Sequence, residues 1–460
     1  MSEDSKKTSG LRETISKELY AERLMQKLTQ SELAERVGTQ KSNISRIEKG
    51  AQNLTVDYLE ELAKALNKQV RFIMEEPSIE YGDVSTYSLK LYDTELLRFS
   101  LKRGLDLKAE IIYINKDTRQ LLPLDLELTG DGIISWLTHR TIPQNREFVG
   151  HILESLGLNF NDLKGILDVC MGLSLNDSYW MPQAGFTGTF AEYNLYENRF
   201  SEALSLIAYT GGNYSTKNFR TSPELTTGGM LRKAWRYFDS GDIWLYKGGT
   251  EGFANAGNEP YSEFYASQIA ERMGLHHVHY DLARWKGILA SKCRLFTNTD
   301  TAYVPVGRIV KTGGIEACLD HYKTLGDSFY QELVSMLVFD AVIVNEDRHF
   351  GNFGLLRDNK SGEIISPAPV FDNGLSLLCY AMKADFEDIE RYIGTRSNPY
   401  GRGNEYFSLC SRIIGPKQKK ELSRLIGFKF TESDISNLPS WRLSALEEMI
   451  QARVRALLAL

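Results

Sequence analysis

Two short acidic motifs decide the fold: NEDRHFGN at residues 345–352 and FDNG at residues 371–374. Between them lie two short apolar runs, 353–356 and 364–365, which are separated by a polar turn that contains glycine. This pattern predicts a hairpin that joins two polar loops. The largely apolar segment 328–344 precedes the first motif and predicts a buried helix that delivers it to a cleft.

The residue types in these motifs are those that phosphoryl transfer requires. The reaction needs a carboxylate that orients or accepts a hydroxyl proton, and hard oxygen ligands that hold magnesium against the phosphates. Asp347 and Asn352 have the spacing of the base and the metal-binding Asn of protein kinases, and Asp372 follows where a second metal-binding Asp is expected. Two polar turns that cap a hairpin are the alternative, but both motifs together favour a phosphotransfer site.

Composition indicates a globular protein with more than one domain. A length of 460 residues predicts about two to four domains. Hydrophobic residues make up 42% and charged residues 25% of the chain, as is usual for globular proteins. The net charge of -6 means that any binding of nucleic acid must use a local basic patch.

Cysteine usage and hydropathy predict the compartment. The five cysteines are scattered, without the spacing of metal ligands, which indicates a reducing environment and no structural zinc. The N terminus has no apolar targeting region, and no stretch approaches the ~18–20 apolar residues that span a bilayer. We expect a soluble cytoplasmic protein.

Short helices with clear boundaries are predicted over residues 15–66. The sequence TQSE at 29–32 is a capping box that opens one helix, which Gly38 ends. The next helix, which we expect Thr39 to cap, carries short polar and basic side chains that suit a DNA major groove. A solvated helix face is the alternative. The candidates for contact with bases or phosphates are Gln40, Lys41, Ser42, Asn43 and Arg46.

The sequences LTQSELA at 28–34 and SNISRIEKG at 42–50 resemble the lambda-repressor-like (Xre/Cro) helix-turn-helix family. The run Lys68–Met74 that follows has the composition of a strand. Two such strands that pair across a dyad would join two DNA-reading heads at the spacing of a palindromic site, so we expect a homodimer. A strand that pairs within its own chain is the alternative.

The middle of the chain suggests structure but no chemistry. Residues 77–85 have the composition of a linker, and helical spacing begins after Gly132. We expect strands at 96–101, 109–114 and 121–128. No motif in residues 86–215 identifies a site.

A loop rich in Ser, Thr and Gly occupies residues 221–229 and leads into basic and aromatic residues. Glycines let backbone N–H groups approach an anion closely, and hydroxyls add hydrogen-bond donors. The loop lacks the G-x-x-x-x-G-K-[ST] sequence of a P-loop, and a plain hairpin turn is the alternative. The candidates for nucleotide contact are Thr226, Thr227, Gly228, Gly229 and Lys233.

The next run, DIWLYK, alternates like a strand. Side chains two residues apart share a face, so Leu245 is placed to cover an adenine while Lys247 contacts the phosphates. A helix is predicted over 260–274. Glu263 in its first turn is the candidate ion-pair partner of Lys247, and Glu259 is the alternative.

Together, the glycine loop, Lys247 and the two acidic motifs resemble the HipA-like serine/threonine kinase family over about residues 220–450. The resemblance implies that ATP and Mg2+ are bound and that a phosphoryl group passes to a protein hydroxyl. It also implies that Asp347 is the catalytic base, that Asn352 and Asp372 hold magnesium, and that Lys247 contacts the ATP phosphates.

The predicted fold class is multidomain: an all-α helix-turn-helix domain followed by an α+β bilobal, protein-kinase-like fold with a helical C-terminal lobe. We expect a DNA-binding domain at 1–76, a mixed β/α subdomain at 77–215, an ATP-binding core at 216–295 and a helical lobe at 296–460. The polar residues after Asp372 correspond to an activation segment.

The resemblance also suggests regulation and partners. In the HipA-like family a serine of the glycine-rich loop is autophosphorylated, and the corresponding positions here are Thr226 and Thr227. The helix-turn-helix resembles the separate antitoxin subunit (HipB-like), which binds operator DNA. The chain therefore resembles an antitoxin and a toxin fused into one polypeptide. The resemblance implies operator DNA and a protein substrate as partners, with a translation component as the expected substrate.

Two other functions fit the same motifs. Lipid kinases of the phosphoinositide type share related motifs, although no polybasic membrane-facing stretch is present here. A DNA-binding regulator whose kinase-like part only binds nucleotide is the second alternative. Retention of Lys247, Asp347, Asn352 and Asp372 argues against it, because such a regulator does not need all four.

Overall fold

The computed structural model describes residues 4–70, 84–104, 106–216, 221–252, 255–398, 401–402 and 405–460. The chain divides into two compact units, Met1–Glu80 and Tyr81–Leu460. Each unit has its own hydrophobic clusters. Within the described residues, no helix has both the length and the apolar character that a membrane span requires.

The first unit is all helical. Its helices are α1 (Asp4–Met25), α2 (Gln30–Val37), α3 (Lys41–Glu48) and α4 (Val56–Ala65). The predicted capping box is confirmed: Thr29 accepts a hydrogen bond from the backbone of Glu32, whose carboxylate accepts one in return from the backbone of Thr29. Gly38 ends α2 with a φ of 70°, a conformation that glycine adopts without strain.

The predicted dimerising strand, Lys68–Met74, lies from Arg71 onward outside the described residues. Lys68, Gln69 and Val70 are described and are not part of a strand. Val70 packs against the core of the first unit, which is formed by buried residues such as Leu33, Ile44 and Ile47.

The second unit begins with a four-stranded antiparallel sheet in the order β3-β2-β1-β4. Tyr87, Leu89 and Leu91 alternate along β1 and are buried, so a strand lies where none is predicted from the sequence. The elements are β1 (Val84–Leu91), β2 (Thr94–Lys102), β3 (Lys108–Ile114), α5 (Gly130–Arg140), α6 (Val149–Glu154), α7 (Leu163–Cys170), β4 (Tyr179–Trp180), α8 (Phe190–Tyr193) and α9 (Glu202–Thr210).

The strand predicted at 121–128 is wrong. A 3₁₀ helix, Lys116–Leu121, is followed by turns, and no strand forms there. The carbonyls of Gln120 and Leu122 accept hydrogen bonds from the Arg357 side chain. These carbonyls are therefore satisfied by a buried guanidinium and not by the backbone of a neighbouring strand.

A second four-stranded antiparallel sheet, in the order β5-β6-β8-β7, carries the predicted lysine strand. Helix α10 packs against it, begins with Pro260 near its N terminus and ends at Gly274, as predicted. The elements are a 3₁₀ helix (Pro223–Leu225), β5 (Lys233–Tyr237), β6 (Ile243–Gly248), α10 (Glu259–Met273), β7 (Tyr280–Trp285) and β8 (Ile288–Arg294).

The remainder is mostly helical around the buried helix α13, whose residues 333–343 are all buried. The predicted hairpin forms as β10 and β11, and β9 extends it to three strands. The elements are β9 (Thr301–Pro305), α11 (Val306–Ile309), α12 (Gly314–Leu325), α13 (Asp327–Ile343), β10 (Gly354–Asp358), β11 (Ile364–Pro367), a 3₁₀ helix (Lys383–Glu387), α14 (Ile389–Thr395), β12 (Ser397–Asn398), β13 (Gly401–Arg402), α15 (Glu405–Ile413), α16 (Pro416–Ser423) and α17 (Ser440–Ala459).

Candidate active site

Lys247 is buried near the end of β6 and forms one buried ion pair and one partly buried ion pair. Its Nζ donates to a carboxylate oxygen of Glu263 on α10 and to one of Asp372 in the FDNG loop. The backbone N–H of Asn373 donates to the other Glu263 oxygen at 2.9 Å. The β6 strand, helix α10 and the FDNG loop therefore meet at one ammonium group.

The charges at this site fix the ionisation of Lys247 and Asp372. Burial disfavours both charged forms, but the two carboxylates raise the pKa of Lys247, and the ammonium groups of Lys247 and Lys233 lower the pKa of Asp372. Lys247 is thus a cation and Asp372 an anion across the physiological pH range.

Glu259, the alternative partner of Lys247, has a different role. Its carboxylate accepts hydrogen bonds from the Thr250 hydroxyl and from the Tyr380 hydroxyl, both at 2.7 Å. It is buried and ties the turn that follows β6 to the segment that follows the FDNG loop. Leu245 shares the Lys247 face of β6 and packs against the buried cluster of Val278, Tyr280 and Cys293.

Lys233 lies opposite Lys247 in the register of β5 and β6. It is buried, and no carboxylate in the described part of the chain pairs with it. Burial and the nearby Lys247 ammonium lower its pKa to about 8. A side chain on Gly229, which has a φ of 84°, would collide with the Lys233 Nζ, so this glycine leaves room for the amine.

The hydroxyl groups of the glycine loop are already engaged. Thr226 donates to the carbonyl of Leu173 at 2.8 Å, and Thr227 donates to the carbonyl of Pro223 at 2.7 Å. A Cβ added to Gly228 would meet no atom within 4 Å, so this position lies open. Phosphorylation of either threonine requires its hydrogen bond to the backbone to break.

The NEDRHFGN loop presents Asp347 and Asn352 together. Asn352 Nδ2 donates to the Asp347 carbonyl at 3.0 Å, which leaves Asn352 Oδ1 as the atom that can accept a further bond. The Asp347 carboxylate is half-buried and has no hydrogen-bond partner in the described part of the chain. Burial raises its pKa, an effect that the neighbouring His349 opposes.

Arg348 is fully buried and forms hydrogen bonds to residues of both acidic motifs. Its Nε donates to Asp340 of α13 at 3.0 Å, and Nη1 donates to the carbonyl of Asn352 at 3.0 Å. The same guanidinium also donates to the carbonyl of Phe371 and to the Asn373 side chain. One rigid fork thus sets the position of the NEDRHFGN loop relative to the FDNG loop.

The oxygens available at the site suit magnesium. Asp372 Oδ1 accepts from Lys247, and Oδ2 has no partner in the described part of the chain. Together with Asn352 Oδ1 this provides two hard oxygen ligands, the number that magnesium uses when phosphates and water complete its octahedron. Among the described residues, no three His, Cys, Asp or Glu side chains form a metal cluster of their own.

Sequence reasoning missed the residues that hold the glycine loop. Arg146 and Glu224 form a fully buried ion pair, and Arg146 Nη1 donates to the Glu224 carbonyl at 2.7 Å. Arg146 Nη2 donates to the carbonyl of Lys233 at 2.9 Å, and Trp235 N donates to Glu224 at 2.9 Å. A lone arginine 78 positions away from its partner offers no local signal.

The predicted DNA-contacting residues cluster at the start of α3. Gln40, Lys41, Ser42 and Arg46 are exposed, whereas Asn43 is half-buried and donates to the Thr39 hydroxyl at 2.9 Å. Gln40, not Thr39, is the N-cap, and its side chain makes no capping hydrogen bond. The Thr39 hydroxyl accepts a hydrogen bond from Asn43 instead.

Comparisons with known proteins identify both parts of the architecture. Residues 19–73 match the helix-turn-helix family. A chain in the toxin–antitoxin complex of HipA, HipB and operator DNA from Shewanella oneidensis MR-1 superposes with a TM-score of 0.50 and 13% identity, covering 80% of this chain and 96% of that one. The chain has an N-terminal helix-turn-helix domain and a HipA-like fold. The predicted fold class is therefore confirmed.

A second solved structure is similar over a smaller share of the chain. The proinflammatory kinase CtkA from Helicobacter pylori superposes with a TM-score of 0.37 and 17% identity, and it covers 49% of this chain and 93% of its own. No curated protein matches the sequence.

The pKa of Lys233 predicts how binding of a polyphosphate depends on pH. The amine is mostly protonated at pH 7 and mostly neutral at pH 9, so affinity for inorganic tripolyphosphate should fall as pH rises through about 8. Calorimetric titrations between pH 6.5 and 9 measure this change, and Lys233→Met should remove the step. A step of the same size in Lys233→Met would assign it to another group.

Removal of Arg348 should leave Asp340 as a buried charge without its cation. We expect Arg348→Met to lower the free energy of unfolding by about 3–5 kcal/mol. Urea unfolding followed by tryptophan fluorescence measures this, because all six tryptophans lie in the second unit.

The matched control for Arg348→Met is Arg412→Met, which breaks an exposed ion pair with Glu316 and should cost no more than about 1 kcal/mol. The double variant Asp340→Leu with Arg348→Met removes both charges and should recover part of the loss. Equal stability of Arg348→Met and wild type would contradict this account of the ion pair.

Proposed function

We propose that the protein is an ATP- and Mg2+-dependent serine/threonine protein kinase of the HipA type with a fused DNA-binding domain, and that it acts in a cytoplasmic toxin–antitoxin system. One observation carries the proposal: Lys247, Glu263 and Asp372 form an ion-pair triad around the buried Lys247 ammonium, beside the loop that holds Asp347 and Asn352. Protein kinases use the same combination of groups to position phosphates and metal.

Each residue of the site has a proposed task. Asp347, whose carboxylate has no partner in the described residues, accepts or orients the proton of the acceptor hydroxyl. Lys233 and Lys247 contact the ATP phosphates, and Asn352 and Asp372 hold magnesium. Bound magnesium would neutralise charge on the phosphates. Leu245 covers the adenine, and the backbone of Gly228 and Gly229 approaches the phosphates.

Glu263 acts through Lys247, because it touches neither the proposed nucleotide nor the acceptor. By holding the ammonium group from the α10 side, it keeps Lys247 extended toward the FDNG loop. The Arg146–Glu224 pair serves the same purpose for the glycine loop. These residues position the groups that contact ligands, as preorganised sites require.

The first unit is proposed to bind operator DNA as a homodimer through Gln40, Lys41, Ser42, Asn43 and Arg46. The exposed polar start of α3 supports this, because helix-turn-helix proteins present that end of the second helix to the major groove. The solved toxin–antitoxin complex of HipA, HipB and operator DNA supports this proposal. The proposed substrate is a protein hydroxyl, for example on a translation component.

The kinase proposal predicts transfer of radiolabel from ATP in the presence of Mg2+. Purified protein, alone and with cell extract, should incorporate label on serine or threonine, and mass spectrometry should reveal whether Thr226 or Thr227 is modified. Asp347→Asn should reduce the rate by about 10²–10⁴-fold, the usual contribution of a general base.

Asp320→Asn, a change at an exposed carboxylate on α12, is the matched control and should retain the full rate. If protein label is absent from wild type while phosphatidylinositol becomes labelled, the acceptor class is lipid. If nothing is labelled but operator DNA still binds, the kinase proposal fails and the nucleotide-binding regulator remains.

The DNA-binding proposal predicts a specific contact by Arg46. After selection of a preferred duplex from a random library, Arg46→Ala should weaken binding to it by about 1–3 kcal/mol. Lys64→Ala removes an equal charge from an exposed position of α4 and is the control, with an expected change below about 1 kcal/mol. Equal losses in both variants would indicate a general charge effect without base recognition.

A further inference from the structure

A cavity of about 80 Å³ lies behind the glycine loop, and Thr226 forms part of its wall. One water molecule needs roughly 10–15 Å³ of cavity volume, so this cavity has room for a group the size of a phosphoryl. Three guanidinium groups line it, those of Arg140, Arg308 and Arg357, against only two carboxylates, Asp125 and Asp177. The cavity therefore has an excess of positive charge.

The three arginines differ in how many of their N–H donors already form hydrogen bonds. Arg357 is buried and donates to the carbonyls of Gln120, Leu122 and Gly362 and to the Tyr179 hydroxyl, but no carboxylate pairs with it in the described residues. Its charge is balanced by dipoles alone. A buried cation in this state favours an anion nearby.

Arg140 is held by Asp177 in a bidentate pair and also donates to the carbonyls of Gly172 and Tyr179. Arg308 donates once to Asp125 at 2.8 Å and once to the carbonyl of His139 at 2.8 Å. Its Nε–H and one N–H on each terminal nitrogen have no acceptor in the described part of the chain. Arg308 is therefore the residue best able to bind a new oxyanion bidentately.

We propose that this cavity binds a phosphoryl group, either as free phosphate or as the phosphate of phosphorylated Thr226. The second source rests on the proposed kinase function, whereas the first does not. Arg308 donates two parallel hydrogen bonds to the phosphoryl oxygens, and Arg140 and Arg357 contribute positive charge. Thr226 lines the cavity and donates to the carbonyl of Leu173, so occupancy of the cavity is coupled to the conformation of the glycine loop.

The first test measures binding of radiolabelled inorganic phosphate to the full chain by equilibrium dialysis, with a non-hydrolysable ATP analogue present to fill the proposed nucleotide site. We expect one phosphate per chain and at least tenfold weaker binding in Arg308→Gln. Arg412→Gln, which removes an exposed arginine outside the cavity, should bind like wild type.

A second variant separates lost recognition from lost structure. Asp125→Asn removes the carboxylate that competes for Arg308 and should bind phosphate several-fold more tightly than wild type, an outcome that damage to the fold does not produce. Absence of phosphate binding in wild type, or equal affinities in wild type, Arg308→Gln and Asp125→Asn, would overturn the proposal.

A further arm distinguishes the two sources. Chains that carry phosphothreonine at position 226 after incubation with Mg·ATP should no longer bind free phosphate if the modified side chain fills the cavity. Unchanged binding by these chains would assign the cavity to free phosphate. If no label enters the protein, the kinase proposal fails, while the dialysis experiment still decides whether the cavity binds phosphate.

Discussion

The buried pair between Arg348 and Asp340 is the constraint on which the candidate active site depends. Two charges without exposure to water are expensive to bury, and their attraction repays that cost only with good geometry and further hydrogen bonds. Arg348 meets both conditions, because its remaining donors bind the carbonyls of Asn352 and Phe371. This arrangement fixes the position of the loop of Asp347 relative to the loop of Asp372, so the two loops cannot move independently.

The fixed position of the FDNG loop also determines how the two lysines of the site are paired with carboxylates. With Asp372 fixed, Lys247 lies between two carboxylates and is electrostatically satisfied within the protein. Lys233, on the neighbouring strand, faces Lys247 without a carboxylate of its own in the described residues. Of the two ammonium groups, Lys233 is therefore the one that gains more from a bound anion, and Lys247 also orders the FDNG loop through its ion pair with Asp372.

The sequence predicted features that are local and failed on those that depend on distant partners. The capping box at Thr29, the helix end at Gly274 and the β10–β11 hairpin arise from neighbouring residues, and all are confirmed. In the stretch 121–128, where the predicted strand does not form, the Leu122 carbonyl accepts a hydrogen bond from Arg357, far along the chain. Likewise, the sequence positions of Glu263 and Glu259 both allow an ion pair with Lys247. Only the packing of α10 determines that Glu263 forms this pair and that Glu259 binds Thr250 instead.

Residues 86–215 contain no catalytic motif, yet they hold the glycine loop. Ile142 N donates to the carbonyl of Leu225, Glu147 N donates to that of Met230, and Arg146 binds Glu224 between them. A glycine-rich segment loses much conformational freedom on ordering, so it needs such external contacts to keep one shape. These contacts from residues 142–147 support the loop, and displacement of the loop must break them.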